Sequence, residues 1–189
     1  MNFPLEPPIL ASAREVRMAV FDVDGVLTDG RILLGPAGEE YKQFHVRDGH
    51  GLVMLRQSGV QLAIITGRQS SVVTHRMQEL GVRYVYQGRS DKLAALHELC
   101  AISGVTPAQI CYVGDDLPDI PVLRAVGLPV AVADAHPSVA AVARYRTCAA
   151  GGTGAAREVA ELLMMAQGTL TDAAPAPAGP SSPWEPIRA

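Results

Sequence analysis

Five short apolar runs are spaced along the chain, and each of them is bounded by Gly, Asp or Pro. They alternate with segments of helical periodicity, such as the one in which Val73, Met77 and Leu80 precede Gly81. Because strands covered on both faces are apolar throughout, this alternation is typical of βαβ units around a parallel sheet. We therefore predict an α/β fold with strands at residues 18–21, 61–65, 84–86, 110–113 and 129–132, and helices at residues 49–57, 70–80, 91–100, 119–125 and 155–167.

One segment after the first predicted strand interrupts this alternation. Residues 31–34 and 41–44 flank a Gly-Pro-Ala-Gly turn, which predicts a β-hairpin. Residues 1–14 are punctuated by proline and are expected to form a loose N-terminal arm. Residues 169–189 are rich in Pro and Ala and are expected to form a disordered tail, which leaves a single domain at residues 15–168.

The composition of the 189-residue chain excludes several classes of protein. A hydrophobic fraction of 48% is enough for one core, and a net charge of -3 lacks the basic excess of a nucleic-acid-binding protein. No stretch approaches about 18 uncharged apolar residues, so no membrane association is expected. Cys100, Cys111 and Cys148 lack C-x-x-C spacing, and no signal peptide is recognisable, so we expect a cytoplasmic protein.

The sequence Asp22-Val23-Asp24-Gly25 directly follows the first predicted strand. Side chains two residues apart leave a strand on the same side, so both carboxylates would enter the crevice where open α/β sheets bind ligands. Paired acids at this position indicate a bound cation or a proton transfer. The alternatives are a turn rich in Asp and Gly, or a short calcium-type loop that lacks the later ligands.

Two further segments carry groups that suit an anionic ligand or a nearby carboxylate. Thr66, Gly67 and Arg68 follow the second predicted strand, and a hydroxyl with a free backbone N–H at a helix start suits phosphate oxygens. Thr66 as a simple N-cap is the alternative. Lys92 stands at a helix start, where the macrodipole disfavours a cation, so it is expected to pair with a nearby negative charge. A solvated lysine is the alternative in that case.

A second acidic run, Gly114 to Asp119, follows the fourth predicted strand. Asp115 beside Asp22 and Asp24 would complete a hard oxygen site for Mg²⁺, which accepts a few carboxylates and retains waters. Asp119 is interpreted here only as a possible helix cap.

These four elements, in this order, resemble the haloacid dehalogenase superfamily of aspartate-nucleophile phosphatases, which have a Rossmann-like parallel sheet. The resemblance implies that Asp22 takes the phosphoryl group and that Asp24 acts as general acid and then general base. It also implies that the Asp22 and Asp115 carboxylates and the Asp24 backbone carbonyl hold Mg²⁺. Thr66 and Lys92 would steady the phosphate and the nucleophile.

Longer strings, among them FDVDGVLTDGRI, FHVRDGHG, YVGDDLPD and GGTGAAREVAELLMMAQG, resemble the 3-deoxy-D-manno-octulosonate 8-phosphate phosphatase family over about residues 14–168. That family is magnesium-dependent, tetrameric and without a cap domain, and it serves lipopolysaccharide biosynthesis. The gaps between the motifs of this chain hold only the hairpin and short helices, so no cap is expected. A lid would then come from the hairpin of a neighbouring subunit, which predicts an oligomer, and the resemblance implies that this oligomer is a homotetramer.

Several residues are candidates for binding an anionic sugar acid. His45, Arg47 and Asp48 lie just before the predicted helix start at Gly49 and would supply a cation for the substrate carboxylate and acceptors for its hydroxyls. The resemblance adds Arg68 and Arg76, which would act within the subunit or across a subunit boundary. The predicted substrate-binding residues are Asp24, His45, Arg47, Asp48, Gly49, Thr66, Gly67, Arg68, Arg76 and Lys92. The alternative for Arg76 is a solvated helix face.

Two other functions stay open at this point. One is a phosphatase for a nine-carbon sugar-acid 9-phosphate, whose family shares the same motifs. The other is an inactive oligomerisation module of the same fold, against which the presence of both Asp22 and Asp24 argues.

Overall fold

The computed structural model describes residues 6–170 of the 189-residue chain. Its centre is a six-stranded parallel sheet flanked by helices, together with a separate two-stranded hairpin. The sheet consists of β1 (Met18–Phe21), β4 (Gln61–Ile65), β5 (Tyr84–Tyr86), β6 (Ile110–Gly114), β7 (Leu128–Ala131) and β8 (Tyr145–Arg146), and the hairpin of β2 (Leu33–Leu34) and β3 (Glu40–Tyr41).

The strand order is β5-β4-β1-β6-β7-β8, so β1 lies in the middle of the sheet. Met18 is in register with Gln61 on one side and with Ile110 on the other. All four residues of β1 are buried, as expected for an apolar strand covered on both faces. Whatever follows β1 in the chain therefore emerges at the centre of the carboxyl edge of the sheet.

The helices form two groups on the sheet. Helix α7 packs on both α1 and α2, whereas α4 packs on α5. Right-handed crossovers place these two groups on opposite faces of the sheet. The helices of the described residues are α1 (Pro7–Glu15), α2 (Val46–Gln57), α3 (Ser71–Leu80), α4 (Lys92–Ser103), α5 (Ile120–Leu123), α6 (Pro137–Ala140) and α7 (Ala155–Ala166).

The predicted α/β class is confirmed, and each of the five predicted strands is present within one residue of its predicted bounds. The hairpin is present but shorter than predicted. Helix α2 begins at Val46 rather than at residue 49, because His45 caps it by accepting a hydrogen bond from the Arg47 backbone N–H over 3.2 Å. The short edge strand β8 was not predicted. Between β1 and β4 there are only the hairpin and α2, and between β4 and α4 only α3 and β5, so residues 6–170 contain no cap domain.

The prediction of a loose arm over residues 1–14 is wrong for residues 7–14. Pro7 begins α1, at a position where a missing N–H has no cost. The helix is anchored to the end of α7 because the Gln167 amide donates hydrogen bonds to the carbonyls of Ala13 at 3.1 Å and Val16 at 2.8 Å. The predicted tail from residue 171 onward lies outside the described residues.

None of the helices in the described part of the chain has the length and apolar character needed to cross a membrane.

Candidate active site

An open cleft of about 560 Å³ lies at the carboxyl edge of the sheet. The strand ends of β1, β4 and β6 supply its floor, and the first residue of α4 faces them. Seven of the residues predicted from sequence line this cleft, namely Asp22, Asp24, Thr66, Gly67, Arg68, Lys92 and Asp115. They converge because the carboxyl ends of parallel strands meet at one edge.

Lys92 lies at the bottom of the cleft, where only 5% of the residue is exposed. Its Nζ is 3.0 Å from Asp22 Oδ1 and 2.7 Å from Asp119 Oδ1. A buried ammonium at a helix N-terminus is unfavourable unless it is paired, and here it forms ion pairs with two carboxylates. Their charges raise the pKa of Lys92 in spite of its burial, so it stays protonated.

Asp119 is fully buried and connects this lysine to the loop after β6. Its Oδ1 accepts a hydrogen bond from the Tyr112 hydroxyl over 2.6 Å, and its Oδ2 accepts from the backbone N–H groups of Asp115 at 3.0 Å and Asp116 at 3.3 Å. The sequence interpretation of Asp119 as a mere helix cap therefore missed its contact with Lys92. The signal that was available is a third acid in the run that follows a buried strand.

Three acidic residues of this cluster form a candidate metal site. Carboxylate oxygens of Asp22, Asp115 and Asp119 lie within 4.8 Å of one another. Asp115 Oδ1 is buried and has no hydrogen-bond partner among the described residues. A buried oxygen without a partner is costly, and a hard divalent cation with a few carboxylate ligands would satisfy it. The donor set thus fits Mg²⁺.

The electrostatics of the two strand-end acids agree with such a site. Burial, together with the charge of Asp119 and against the opposing charge of Lys92, raises the pKa of Asp22 to about 6. Burial, and then the charges of Asp22 and Asp119, raises the pKa of Asp115 to about 8. One lysine does not compensate the acids that surround it, so the cluster favours an additional positive charge.

The Asp24 carboxylate points away from this acidic cluster. Its Oδ1 contacts the Nζ of Lys42, and its Oδ2 lies 3.8 Å from Arg68 Nε. Lys42, which follows β3, and Glu40 within β3 were not singled out from the sequence, because nothing in the hairpin pattern indicates that it folds back over the strand ends. The resemblance implies that Asp24 would offer a cation its backbone carbonyl rather than this side chain.

The loop after β4 is fixed through the main chain of Thr66, which is buried. Its N–H donates to the Tyr86 carbonyl over 2.9 Å, and its carbonyl accepts from the Arg89 N–H over 3.0 Å. The Thr66 side chain and Gly67 border the cleft as a result. Arg68 is held by a hydrogen bond of 2.7 Å from its Nη2 to Glu40 Oε2.

The other predicted substrate-binding residues lie around α2 and do not line this cleft. Asp48 is buried, and both of its oxygens accept backbone hydrogen bonds, from Gly154 over 3.1 Å and Arg157 over 2.8 Å. It therefore caps α7 within its own chain. Arg47 borders a separate cavity of about 340 Å³ beside Arg157.

Gly49 and Arg76 meet in a third place, between α2 and α3. The guanidinium of Arg76 packs directly on the backbone of Gly49, and a Cβ atom at residue 49 would displace it from this position. Arg76 forms an ion pair of 3.1 Å with Glu79, and together with His45 and Gly49 it lines a small apolar pocket. Within the chain, these residues are separate from the acidic cleft.

Residues 83–158 match the family profile of haloacid dehalogenase-like hydrolases. This segment carries β5, β6 and the acidic loop after β6, so the match coincides with half of the cleft. The fold and the cleft together thus define a hydrolase of the haloacid dehalogenase class.

Comparison with individual proteins shows to which family within this class the chain is similar. The 3-deoxy-D-manno-octulosonate 8-phosphate phosphatase KdsC of Salmonella typhimurium is 48% identical over 170 residues, which cover 90% of each chain. The crystal structure of the phosphatase of the same name from Yersinia pestis has a TM-score of 0.87 and 48% identity, and covers 88% of this chain and 90% of that chain. The Moraxella catarrhalis phosphatase, solved with a magnesium ion, a phosphate ion and KDO, has a TM-score of 0.83 and 44% identity, covering 85% and 92%.

This chain belongs to the 3-deoxy-D-manno-octulosonate 8-phosphate phosphatase family, as its sequence motifs predicted. Family membership makes it a phosphoric monoester hydrolase.

Proposed function

We propose that this protein hydrolyses 3-deoxy-D-manno-octulosonate 8-phosphate to the free sugar acid and inorganic phosphate, with Mg²⁺ as cofactor, in lipopolysaccharide biosynthesis. The observation that carries the proposal is the position of Asp22, which lies buried at the end of β1, 3.0 Å from Lys92 and beside the carboxylates of Asp115 and Asp119. The magnesium, phosphate and KDO found with the Moraxella catarrhalis relative support the same substrate class.

In the proposed first step, a carboxylate oxygen of Asp22 attacks the phosphorus atom, and the bond from phosphorus to the sugar oxygen breaks. Asp24 donates a proton to the departing sugar oxygen. Lys92 holds the Asp22 carboxylate in its ionised form, because the ammonium lowers a pKa that burial would otherwise raise further. Thr66 and Gly67 orient the phosphoryl oxygens at the start of the loop after β4.

In the proposed second step, Asp24 takes a proton from a water molecule that attacks the aspartyl-phosphate. Phosphate leaves, and the Asp22 carboxylate is restored. The Asp22 and Asp115 carboxylates and the Asp24 backbone carbonyl would hold Mg²⁺, with Asp119 as the neighbouring acid of the cluster. When bound, Mg²⁺ supplies the positive charge that lets a carboxylate approach a phosphate dianion.

We further propose that the protein acts as a homotetramer in which neighbouring subunits cover the cleft. The hairpin exposes large apolar side chains, with Leu33 at 61% and Leu34 at 64% exposure, and such a patch is typical of a surface that contacts another protein. His45, Arg47, Gly49 and Arg76 belong to the proposed substrate-binding set but lie outside their own cleft. A neighbouring copy would bring this part of α2 and α3 to a substrate.

A cytoplasmic location is proposed on the chemistry of the cysteines. Cys100, Cys111 and Cys148 are all free thiols, which suits a reducing compartment.

The function can be tested by measuring phosphate release from the eight-carbon and nine-carbon sugar-acid phosphates side by side, with and without a chelator. We expect kcat/KM to favour the eight-carbon phosphate by about tenfold or more, with turnover abolished by chelation and restored by Mg²⁺. A preference for the nine-carbon phosphate would overturn the substrate. No release from either compound would favour an inactive oligomerisation module, and light scattering on the same sample checks the tetramer.

A further inference from the structure

The chain contains two lysines, Lys42 and Lys92, and the structure places one on each of the two acids that follow β1. Lys92 contacts Asp22, and Lys42 contacts Asp24. The partner of Asp22 comes from helix α4. The partner of Asp24 comes from the hairpin, a part of the fold that carries none of the four motifs.

The surroundings of Lys42 hold its side chain in one place. The side chain is fully buried, although the neighbouring Tyr41 is exposed, and its Nζ lies 3.1 Å from Glu40 Oε1. Glu40 stands two residues earlier, so both side chains leave the strand on the same side. The other oxygen of Glu40 accepts a hydrogen bond from Arg68 over 2.7 Å.

These contacts close a ring of two carboxylates and two cations. Arg68 lies 3.8 Å from Asp24 and is 46% exposed, so its hold on that carboxylate is weak compared with the buried ammonium. Glu40 connects the two cations, and Arg68 and Lys42 keep the pKa of Glu40 below its usual range. The orientation of the Asp24 side chain therefore depends chiefly on Lys42.

The hairpin itself does not need this lysine. Its turn is closed by backbone hydrogen bonds from Gly35 to Glu39 at 2.8 Å and from Gly38 to Gly35 at 3.0 Å. Burial of a lysine is costly even when it is paired, and an apolar side chain would fill the same space at lower cost. A purely structural explanation thus leaves the charge of Lys42 without a reason.

We propose that Lys42 is a positioning residue for Asp24, and that through it the hairpin of the same subunit fixes the carboxyl that protonates the leaving group. The inference rests on the proposed phosphatase activity. It assigns to the hairpin a role in the chemistry of its own subunit, separate from any contact with neighbouring copies. A carboxyl that is free to rotate would place its proton away from the leaving oxygen, and such a displacement lowers the rate of proton transfer steeply.

A comparison of two leaving groups tests this role. The alkoxide of a sugar phosphate needs a proton as it departs, whereas the phenolate of p-nitrophenyl phosphate departs without one. The ratio kcat/KM reports the steps up to phosphoryl transfer and not the later hydrolysis of the intermediate. We expect Lys42→Met to lower kcat/KM by about 10- to 100-fold for the sugar phosphate and only a few-fold for p-nitrophenyl phosphate.

Two controls separate positioning from a general effect on the fold or on substrate binding. Arg17→Met removes an exposed cation that directly precedes β1, at the edge of the sheet opposite the cleft, and should leave both substrates unchanged. In an Asp24→Asn background, Lys42→Met should lower kcat/KM for the sugar phosphate by less than about twofold, because a residue that acts through Asp24 has nothing left to position. Lys42→Arg should recover part of the activity.

Equal losses for the two substrates, or a full additional loss in the Asp24→Asn background, would overturn the inference and leave the proposed phosphatase activity intact. If Lys42→Met does not fold, as judged by circular dichroism, Lys42→Gln serves the same comparison because it keeps an N–H donor without the charge. A wild-type protein that hydrolyses another alkyl phosphate but not the eight-carbon one would overturn the proposed substrate. The leaving-group comparison then runs with that alkyl phosphate and decides the inference independently.

Discussion

The Lys92 ammonium lies 2.7 Å from Asp119 Oδ1, and this contact joins the first residue of α4 to the loop after β6. The same ammonium holds Asp22, so the proposed nucleophile and the acidic loop share one buried cation. Because a buried charge that loses its partner is strongly destabilising, the cleft is expected to respond as a unit when any of these residues is changed.

The first prediction concerns the hydroxyl of Tyr112, which donates to Asp119. Tyr112→Phe removes this donor from a fully buried site and should lower the free energy of unfolding by about 1 kcal/mol, with a moderate loss of kcat. Urea denaturation and phosphate release measure the two effects. Tyr84→Phe, at a half-buried tyrosine outside the cleft, is the matched control, and identical results for the two variants would contradict the assignment.

The second prediction is a pH dependence of stability in the absence of metal. The pKa is raised from 3.8 to about 6 for Asp22 and to about 8 for Asp115, so in this range the folded protein binds more protons than the unfolded chain. The contribution of these groups to stability is therefore complete below about pH 4 and is lost as the pH rises through 6 and then 8.

Thermal unfolding in a chelator should accordingly show a Tm that falls between about pH 5 and pH 8. Addition of Mg²⁺ should raise Tm most at the upper end, because the cation binds the deprotonated carboxylates. Asp115→Asn should remove much of the slope. A chelated wild-type protein whose Tm rises with pH over this range would count against the electrostatics described for the cluster.

The third prediction concerns Asp48, whose two oxygens cap α7. Asp48→Ala should lower the free energy of unfolding by about 1 to 2 kcal/mol through loss of the cap. Asp48→Asn keeps one acceptor oxygen and should lose less. Denaturant midpoints measure both, and an unchanged stability in Asp48→Ala together with a raised KM would instead indicate direct contact with substrate.

The fourth prediction concerns Gly151, which packs against the loop that carries the two acids after β1. A Cβ at Gly151 would collide with the backbone carbonyl of Gly25, and the neighbouring Gly152 donates a hydrogen bond to the Val26 carbonyl over 2.9 Å. Gly151→Ala should therefore cost about 1 to 3 kcal/mol of stability and disturb the loop. Retention of wild-type stability and activity would show that this approach is not tight.

The central strands and the convergence of the motifs could be predicted from the sequence. A parallel strand buried on both faces has a distinctive apolar run, and side chains that follow such strands must meet at one edge. The same rule predicts that Asp22, Thr66, Lys92 and Asp115 lie together. The two-residue strand β8 has no such run, because it lies at the sheet edge and is only partly buried.

The contacts of Asp119 and Lys42 could not be predicted in the same way. Each depends on how a loop or hairpin turns back over the strand ends, and that direction is set by tertiary packing rather than by residue spacing. Helix α1 was missed for a similar reason, since its short proline-containing segment is stabilised by contacts with α7 that are remote in sequence.

Rapid chemical quench with a substrate labelled at its phosphate tests the role of Asp22 most directly. The account predicts a transient protein-bound label, sensitive to hydroxylamine, that maps to the peptide containing Asp22 and is absent from a folded but inactive Asp22→Asn variant. A fully active wild-type enzyme that never carries the label, or carries it on another residue, would contradict it.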